Sequence, residues 1–301
     1  MLKALITGIN GFTGRYMAAE LMRAGYDVVG LVHKPMAEPI AGVSAVYVCD
    51  LNDASAVTRV VNEIQPQLVA HLAAIAFVAH GDVDAIYRTN VVGARNLLEA
   101  LSCLAQVPKA VLVASSANVY GNTVDGQLDE LTPPAPANDY AVSKLAMEYV
   151  AKLYNDRLPI TLVRPFNYTG VGQSESFLLP KIVSHVRRGA KVIELGNISV
   201  ARDFSDVRMV VQYYRRLLES PSAVGEVFNI CSGDAHTLEE VLDLVRTISK
   251  HDFEVNVNPA FVRANEVKLL IGDPAKVHAQ VGTVDAISLT DTLRWMLEAT
   301  V

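Results

Sequence analysis

Cysteine is scarce. The 301 residues carry only Cys49, Cys103 and Cys231, no two of them close in sequence. Three scattered thiols offer neither a disulfide framework nor a C-x-x-C metal pair; buried, reduced thiols of a cytosolic protein are expected. Long apolar runs are missing as well, so no segment has the ~20 residues of a membrane-spanning helix. Positive charge is thin: 26 Lys and Arg stand against 32 Asp and Glu, a net charge of −6. Basic residues run no longer than a pair such as Arg187-Arg188, which argues against a surface that tracks nucleic-acid phosphates. The seven histidines lack H-x-H or H-x-x-x-H spacing, and no catalytic metal is expected. Among them His71 reads as a packing residue rather than a base. No charged n-region and apolar h-region precede the first strand, and the expected location is the cytoplasm.

What the sequence does have is alternation. Short apolar runs at Leu2–Thr7, Asp27–Val32, Leu68–Leu72, Ala110–Ala114 and Ile160–Val163 are separated by helix-period segments at Gly11–Ala24, Ala54–Ile64, Ile86–Leu104 and Tyr140–Tyr154. Strands without in/out alternation, separated by helices, predict a parallel sheet covered on both faces. The fold class is therefore α/β, a doubly wound Rossmann-type sheet. After about residue 165 the regularity weakens. Residues 1–165 are expected to bind a dinucleotide, and 166–301 to form mainly a smaller C-terminal substrate region. The apolar run Glu226–Ile230 is expected to return to the main sheet. Asn167–Ser176 and Asn197–Asp206 read as loops.

The first strand ends in TGINGFTG, with glycines at 8, 11 and 14 and a helix behind them. Gly8 permits the tight turn, Gly11 lets backbone N–H groups approach a pyrophosphate, and Gly14 lets helix and strand pack closely. The helix N-terminus adds partial positive charge. At the end of the second strand NAD-preferring proteins place an acid on the ribose 2′-hydroxyl. Here Leu31-Val32-His33-Lys34 has none. His33, Lys34 and Arg15 could attract a 2′-phosphate, so NADP(H) is the expected cofactor, with NAD(H) as the alternative. Both His33 and Lys34 also read as ordinary solvated loop residues. Asp50, before Leu51, is a candidate for an adenine amino group or for a helix cap.

Tyr140 and Lys144 stand four residues apart on one helix face. A phenol with a pKa near 10 is a poor acid at neutral pH, and an ammonium one turn away, together with a cationic nicotinamide, is expected to lower it. Ser116 ends an earlier strand, within SSANVYG, and could hydrogen-bond a reacting carbonyl oxygen.

Taken together these stations resemble the extended short-chain dehydrogenase/reductase family almost end to end: TGINGFTG, CDL, HLAA, NVVGARNLLEA, SSANVYG, YAVSK, RPFN, ARDFSDV and FNICSG. The resemblance implies Ser116, Tyr140 and Lys144 as catalytic. It implies cofactor contacts from Gly8, Asn10, Gly11, Phe12, Thr13, Gly14, His33, Lys34, Asp50, Leu51, Leu72, Ala73, Ala74, Asn90, Tyr140, Lys144 and Pro165. FVRANEVKLLIGDPAK, from Phe261 to Lys276, is similar to the nucleotide segment of GDP-mannose dehydratases and their reductase relatives. By that similarity Arg202 and Arg263 would meet the diphosphate or ribose, and Glu266 the ribose hydroxyls. Ser116, Asn118 and Asn167 complete the implied substrate contacts, and a homodimer built on the helices after Asn90 and at Tyr140–Tyr154 is implied too.

The departures from the family are equally informative. Dehydratases of this kind follow the residue matching Ser116 with acids that move protons between C5 and C6. Here Ala117 and Asn118 follow, and neither can carry that proton. The sugar-contact loop after HLAA reads Ile75-Ala76-Phe77-Val78, apolar where relatives are polar. Met209 stands where the family often has Asp. The expected activity is reduction of the C4 ketone of a nucleotide-linked, GDP-favoured, 4-keto-6-deoxyhexose, giving GDP-D-rhamnose or its C4 epimer. A 4-epimerase retaining NAD and a non-catalytic NADP-binding sensor are the rival readings.

Overall fold

The computed structural model describes residues 1–76, 82–121, 126–259 and 269–299. The first half runs β1 (Lys3–Thr7), α1 (Phe12–Arg23), β2 (Asp27–Val32), β3 (Ala45–Val48), α2 (Ala54–Ile64), β4 (Leu68–His71), α3 (Val83–Tyr87), α4 (Ala94–Ser102) and β5 (Ala110–Ala114). Then come β6 (Gln127–Leu128), α5 (Asp139–Lys152), β7 (Ile160–Pro165), β8 (Asn167–Thr169), α6 (Leu178–Arg187), β9 (Val192–Leu195), β10 (Ala201–Asp206) and α7 (Val207–Leu218). The rest is β11 (Val227–Ile230), β12 (Ala235–Thr237), α8 (Leu238–Ser249), β13 (Glu254–Val257), β14 (Leu269–Gly272), α9 (Ala275–Val281) and α10 (Leu289–Glu298).

Seven strands form one parallel sheet in the order β11-β7-β5-β4-β1-β2-β3. Successive side chains of a strand point to opposite faces, and the cores follow that rule. Ala4 and Ile6 of β1 pack with α1 and α7 on one face; Leu5 packs with α2, α4 and α5 on the other. Gly30 interrupts β2 for a steric reason: a Cβ there would lie 2.4 Å from Ile9 Cγ2, in the loop that follows β1. The strand order changes direction between β1 and β4, and parallel α/β sheets place their ligands in the crevice beyond the strand ends at such a point.

Smaller sheets hang from this frame. β12, β10, β14 and β6 form a second path, with β8 added to β10; β9 and β13 pair separately. A third core fills the space between α6, α8 and α10. No described helix is long and apolar enough to cross a membrane.

Four expectations need correction. The stretch Asn197–Asp206 is not all loop: Ala201–Asp206 is strand β10, paired with β8, β12 and β14. Within Asn167–Ser176, β8 pairs with that strand. The expected single helix Ile86–Leu104 begins at Val83 and contains a π-helical turn at Arg88–Gly93. That turn carries Asn90, whose buried amide is held from two directions, and π turns within α-helices are frequent at functional sites. Finally, Cys49 and Cys231 are buried but Cys103 is exposed. Met209 gains a physical account: it is buried in the core, and its Sδ lies 3.3 Å from the Ile287 N–H.

Candidate active site

The loop from β1 into α1 is built by close backbone contacts. Gly8 has φ +69°, and a Cβ there would press within 2.9 Å of Ala73 Cα. At Gly14 a Cβ would lie 2.2 Å from the Gly8 carbonyl. Only glycine fits this cradle. α1 is capped by Gly11, which has no side chain to satisfy the first N–H groups, so they remain as donors for an anion. Thr7 locks the facing loop: its Oγ1 accepts from Leu72 N at 3.2 Å and Ala73 N at 3.1 Å. The Thr7 hydroxyl then donates to His71 Nδ1 at 2.8 Å. His71 is buried, and burial followed by the Lys144 charge pushes its pKa down to about 3. It is neutral and structural.

Asn90 fastens the same loop. Its Oδ1 accepts from Ile75 N at 2.9 Å, and its Nδ2 donates to Ile75 O at 3.2 Å and Ser143 Oγ at 3.0 Å. Its polar atoms are spent on the protein, so it shapes the cofactor crevice rather than lining it with donors. Asp50 is exposed and accepts from Asn52, while the cap of α2 is Asp53. Leu51 is buried and offers its carbonyl to Asn96. His33 and Lys34 are exposed at the end of β2. Pro165 ends β7 beside Ile230.

The catalytic candidates converge at the end of β5. Ser116 caps the short 3₁₀ turn Ala117–Tyr120 and is buried. α5 begins at its cap Asn138 and presents Tyr140, Lys144 and Glu148 at successive i+4 positions, all buried. Tyr140 has Ser116 as a side-chain neighbour. Lys144 Nζ donates to the Ala114 carbonyl at 2.7 Å.

Lys144 by itself does not lower Tyr140 toward neutrality. Burial pushes it up to about 12, and the described group that opposes burial is Ser116. The Lys144 ammonium is turned onto Ala114, and burial pulls its own pKa down to about 8 while Glu148 holds it up. Tyr140 is therefore a protonated phenol at neutral pH.

A buried network lies underneath. Glu148 accepts Ser115 Oγ at 2.5 Å and makes a two-pronged ion pair with Arg164 at 2.9 and 2.7 Å. Arg164 also donates to Tyr120, whose hydroxyl donates to Asn229 Oδ1 at 2.7 Å. The sequence reading missed Glu148; its spacing after Lys144 was the available signal. It also missed Tyr168, which follows Asn167 directly and meets Thr13 of the cradle, hydroxyl to hydroxyl, at 2.7 Å. Tyr168 also stacks on Phe12.

Asn167 Nδ2 is buried with no hydrogen-bond partner among the described residues, a donor available to a ligand. Arg202 lies on β10 and donates to the Ala201 carbonyl at 2.8 Å. Asn118 is bonded to Ser116 rather than directed at a separate subsite. Arg263, Glu266, Phe77 and Val78 lie outside the described residues.

The sequence profile of the GDP-mannose 4,6 dehydratase family matches residues 5–296. The chain belongs to that family. Within it, the chain is 33% identical to GDP-6-deoxy-D-talose 4-dehydrogenase of Aggregatibacter actinomycetemcomitans, over 92% of this chain and 90% of that one. It is 32% identical to GDP-6-deoxy-D-mannose reductase of Pseudomonas aeruginosa, over 98% and 96%. RMD from the same organism, solved with NADPH, superposes with a TM-score of 0.83 at 28% identity, covering 99% and 98%. A candidate epimerase from Burkholderia cenocepacia J2315 superposes at 0.93 with 51% identity, covering 99% and 97%. Family membership makes this chain a sugar-nucleotide oxidoreductase that works with a nicotinamide dinucleotide, and the glycine cradle fits that group.

Proposed function

We propose that the protein is an NADPH-dependent reductase of the C4 ketone of a nucleotide-linked 4-keto-6-deoxyhexose, GDP-linked by preference. One observation carries the reading. Tyr140 neighbours Ser116 after β5, Lys144 bonds the carbonyl of Ala114 at the end of that strand, and the two positions after Ser116 hold Ala117 and Asn118. The site has a proton donor for a ketone and lacks, at those positions, the acids a dehydratase uses.

The reduced nicotinamide, when bound, supplies a hydride to the ketone carbon. Gly8, Gly11 and Gly14, with the N–H groups that open α1, hold its pyrophosphate. Lys144 holds the ribose, and His33 and Lys34 attract the 2′-phosphate. Ser116 orients the ketone oxygen. Tyr140, kept protonated by burial, gives that oxygen its proton as charge develops on it. Asn167, Arg202, Arg263 and Glu266 receive the sugar nucleotide. The product is GDP-D-rhamnose or its C4 epimer. The location is the cytoplasm. α4 and α5 form a homodimer face, where Val142, Tyr149 and Leu153 stand 38%, 62% and 74% exposed.

The similarity to a candidate epimerase at 51% identity supports a second reading, a 4-epimerase whose cofactor stays bound. Dialysis separates the two. A reductase exchanges its cofactor freely and consumes NADPH with a 4-keto-6-deoxy sugar nucleotide. Protein that retains NAD through dialysis and leaves NADPH untouched is the epimerase.

A further inference from the structure

The Ser116 hydroxyl is tightly constrained. Its Oγ accepts from the backbone N–H of Asn118 at 3.2 Å and from Asn118 Nδ2 at 3.0 Å. A serine hydroxyl has two lone pairs and one proton. With both lone pairs taken, Ser116 has only its O–H left to offer and cannot accept from the neighbouring Tyr140. The Tyr140 proton is left for another acceptor.

We infer that Asn118 is a positioning residue for the reduction, acting through Ser116. This rests on the reading that Ser116 and Tyr140 serve a ketone. Asn118 Nδ2–H is donated to Ser116, which leaves the Ser116 O–H for the ketone oxygen. The Tyr140 O–H bond breaks, and its proton goes to that oxygen as the carbon takes up the hydride of the reduced nicotinamide. The carbonyl π pair becomes the new O–H bond. The phenolate left on Tyr140 regains its proton from solvent. This arrangement explains why an amide suits position 118. A carboxylate there accepts only and would draw the Ser116 proton away from the ketone.

A double-mutant cycle on the whole protein tests this. Turnover and KM are measured with NADPH and the keto-sugar nucleotide for the wild type, Asn118→Ala, Ser116→Ala and the double variant, with thermal melts alongside. Asn118→Ala is expected to lower kcat about tenfold and leave KM within about twofold. In the Ser116→Ala background the same change is expected to do almost nothing. Asn118→Asp keeps the shape, removes the donor and serves if the alanine variant unfolds; the same loss and the same disappearance are expected. An equal loss of kcat in both backgrounds would overturn the inference, as would a rise in KM alone. A wild type that turns over no keto-sugar would instead overturn the reading of reduction, and the inference with it.

Discussion

Lys144 and Ala114 are joined by a 2.7 Å hydrogen bond from the ammonium to the backbone carbonyl at the end of β5. That bond ties α5 to the strand that leads into Ser116. It also fixes where the positive charge sits, in a buried position that lowers the Lys144 pKa to about 8. A buried ammonium is charged below that value and neutral above it. Affinity of the free enzyme for the cofactor is therefore expected to fall as pH rises through about 8. Fluorescence titration from neutral to alkaline pH measures it. In Lys144→Met the affinity should be low and flat across the range; a wild-type curve with no inflection contradicts the role of Lys144.

Tyr140 is protonated at working pH, because burial raises its pKa to about 12. Tyr140→Phe removes one oxygen and its proton without changing the ring. Turnover is expected to drop by a hundredfold or more, about the scale of general acid catalysis, while cofactor affinity stays within about twofold of the wild type. Steady-state kinetics with a parallel binding titration decide the point, and an active phenylalanine variant would remove Tyr140 from the chemistry.

Glu148 and Arg164 form an ion pair in which the side chains are only 1% and 5% exposed. Removing one partner leaves the other charge buried and uncompensated. Glu148→Ala is expected to cost roughly 3–5 kcal/mol of stability. Replacing Arg164 as well, by Leu, should restore part of that loss. Urea unfolding of both variants gives the comparison; a Glu148→Ala loss under about 1 kcal/mol would show that the pair behaves as a surface contact.

Lys34 stands exposed after β2, where no acid is present. Lys34→Glu places a carboxylate beside the expected 2′-phosphate. The KM for NADPH is expected to rise about tenfold, a charge-contact-sized effect, and that for NADH to change little. Equal effects on both cofactors would mean that Lys34 does not read the phosphate.

Much of the frame was legible because a parallel sheet writes itself as short apolar runs. Asp27–Val32, Ala54–Ile64 and Ala110–Ala114 have the bounds their patterns predict. The glycine cradle and the Tyr140–Lys144 spacing were equally plain. The second sheet was not. β10 carries Arg202, Asp203 and Asp206, charges that read as solvated loop. Asp203 is fully buried because its carboxylate accepts Ser232 N at 2.9 Å and Gly233 N at 2.8 Å, across a separation of about thirty residues. No local pattern can show such a partner. The Tyr140 electrostatics were hidden for a similar reason. Helical spacing puts Lys144 beside Tyr140, but the carbonyl of Ala114, from another strand, decides where the ammonium turns. The bond from Asn118 to Ser116 is local, and the serine hydroxyl chemistry could have pointed to it.

Reaction with NADPH deuterated on the transferred position, followed by NMR of the sugar nucleotide, shows whether a hydride and a proton reach a sugar ketone in this site. Reduction puts one deuterium at C4 of a 6-deoxyhexose and oxidises one cofactor per sugar. A sugar inverted at C4 without deuterium, or a ketone left intact beside unchanged NADPH, would rule the reduction out.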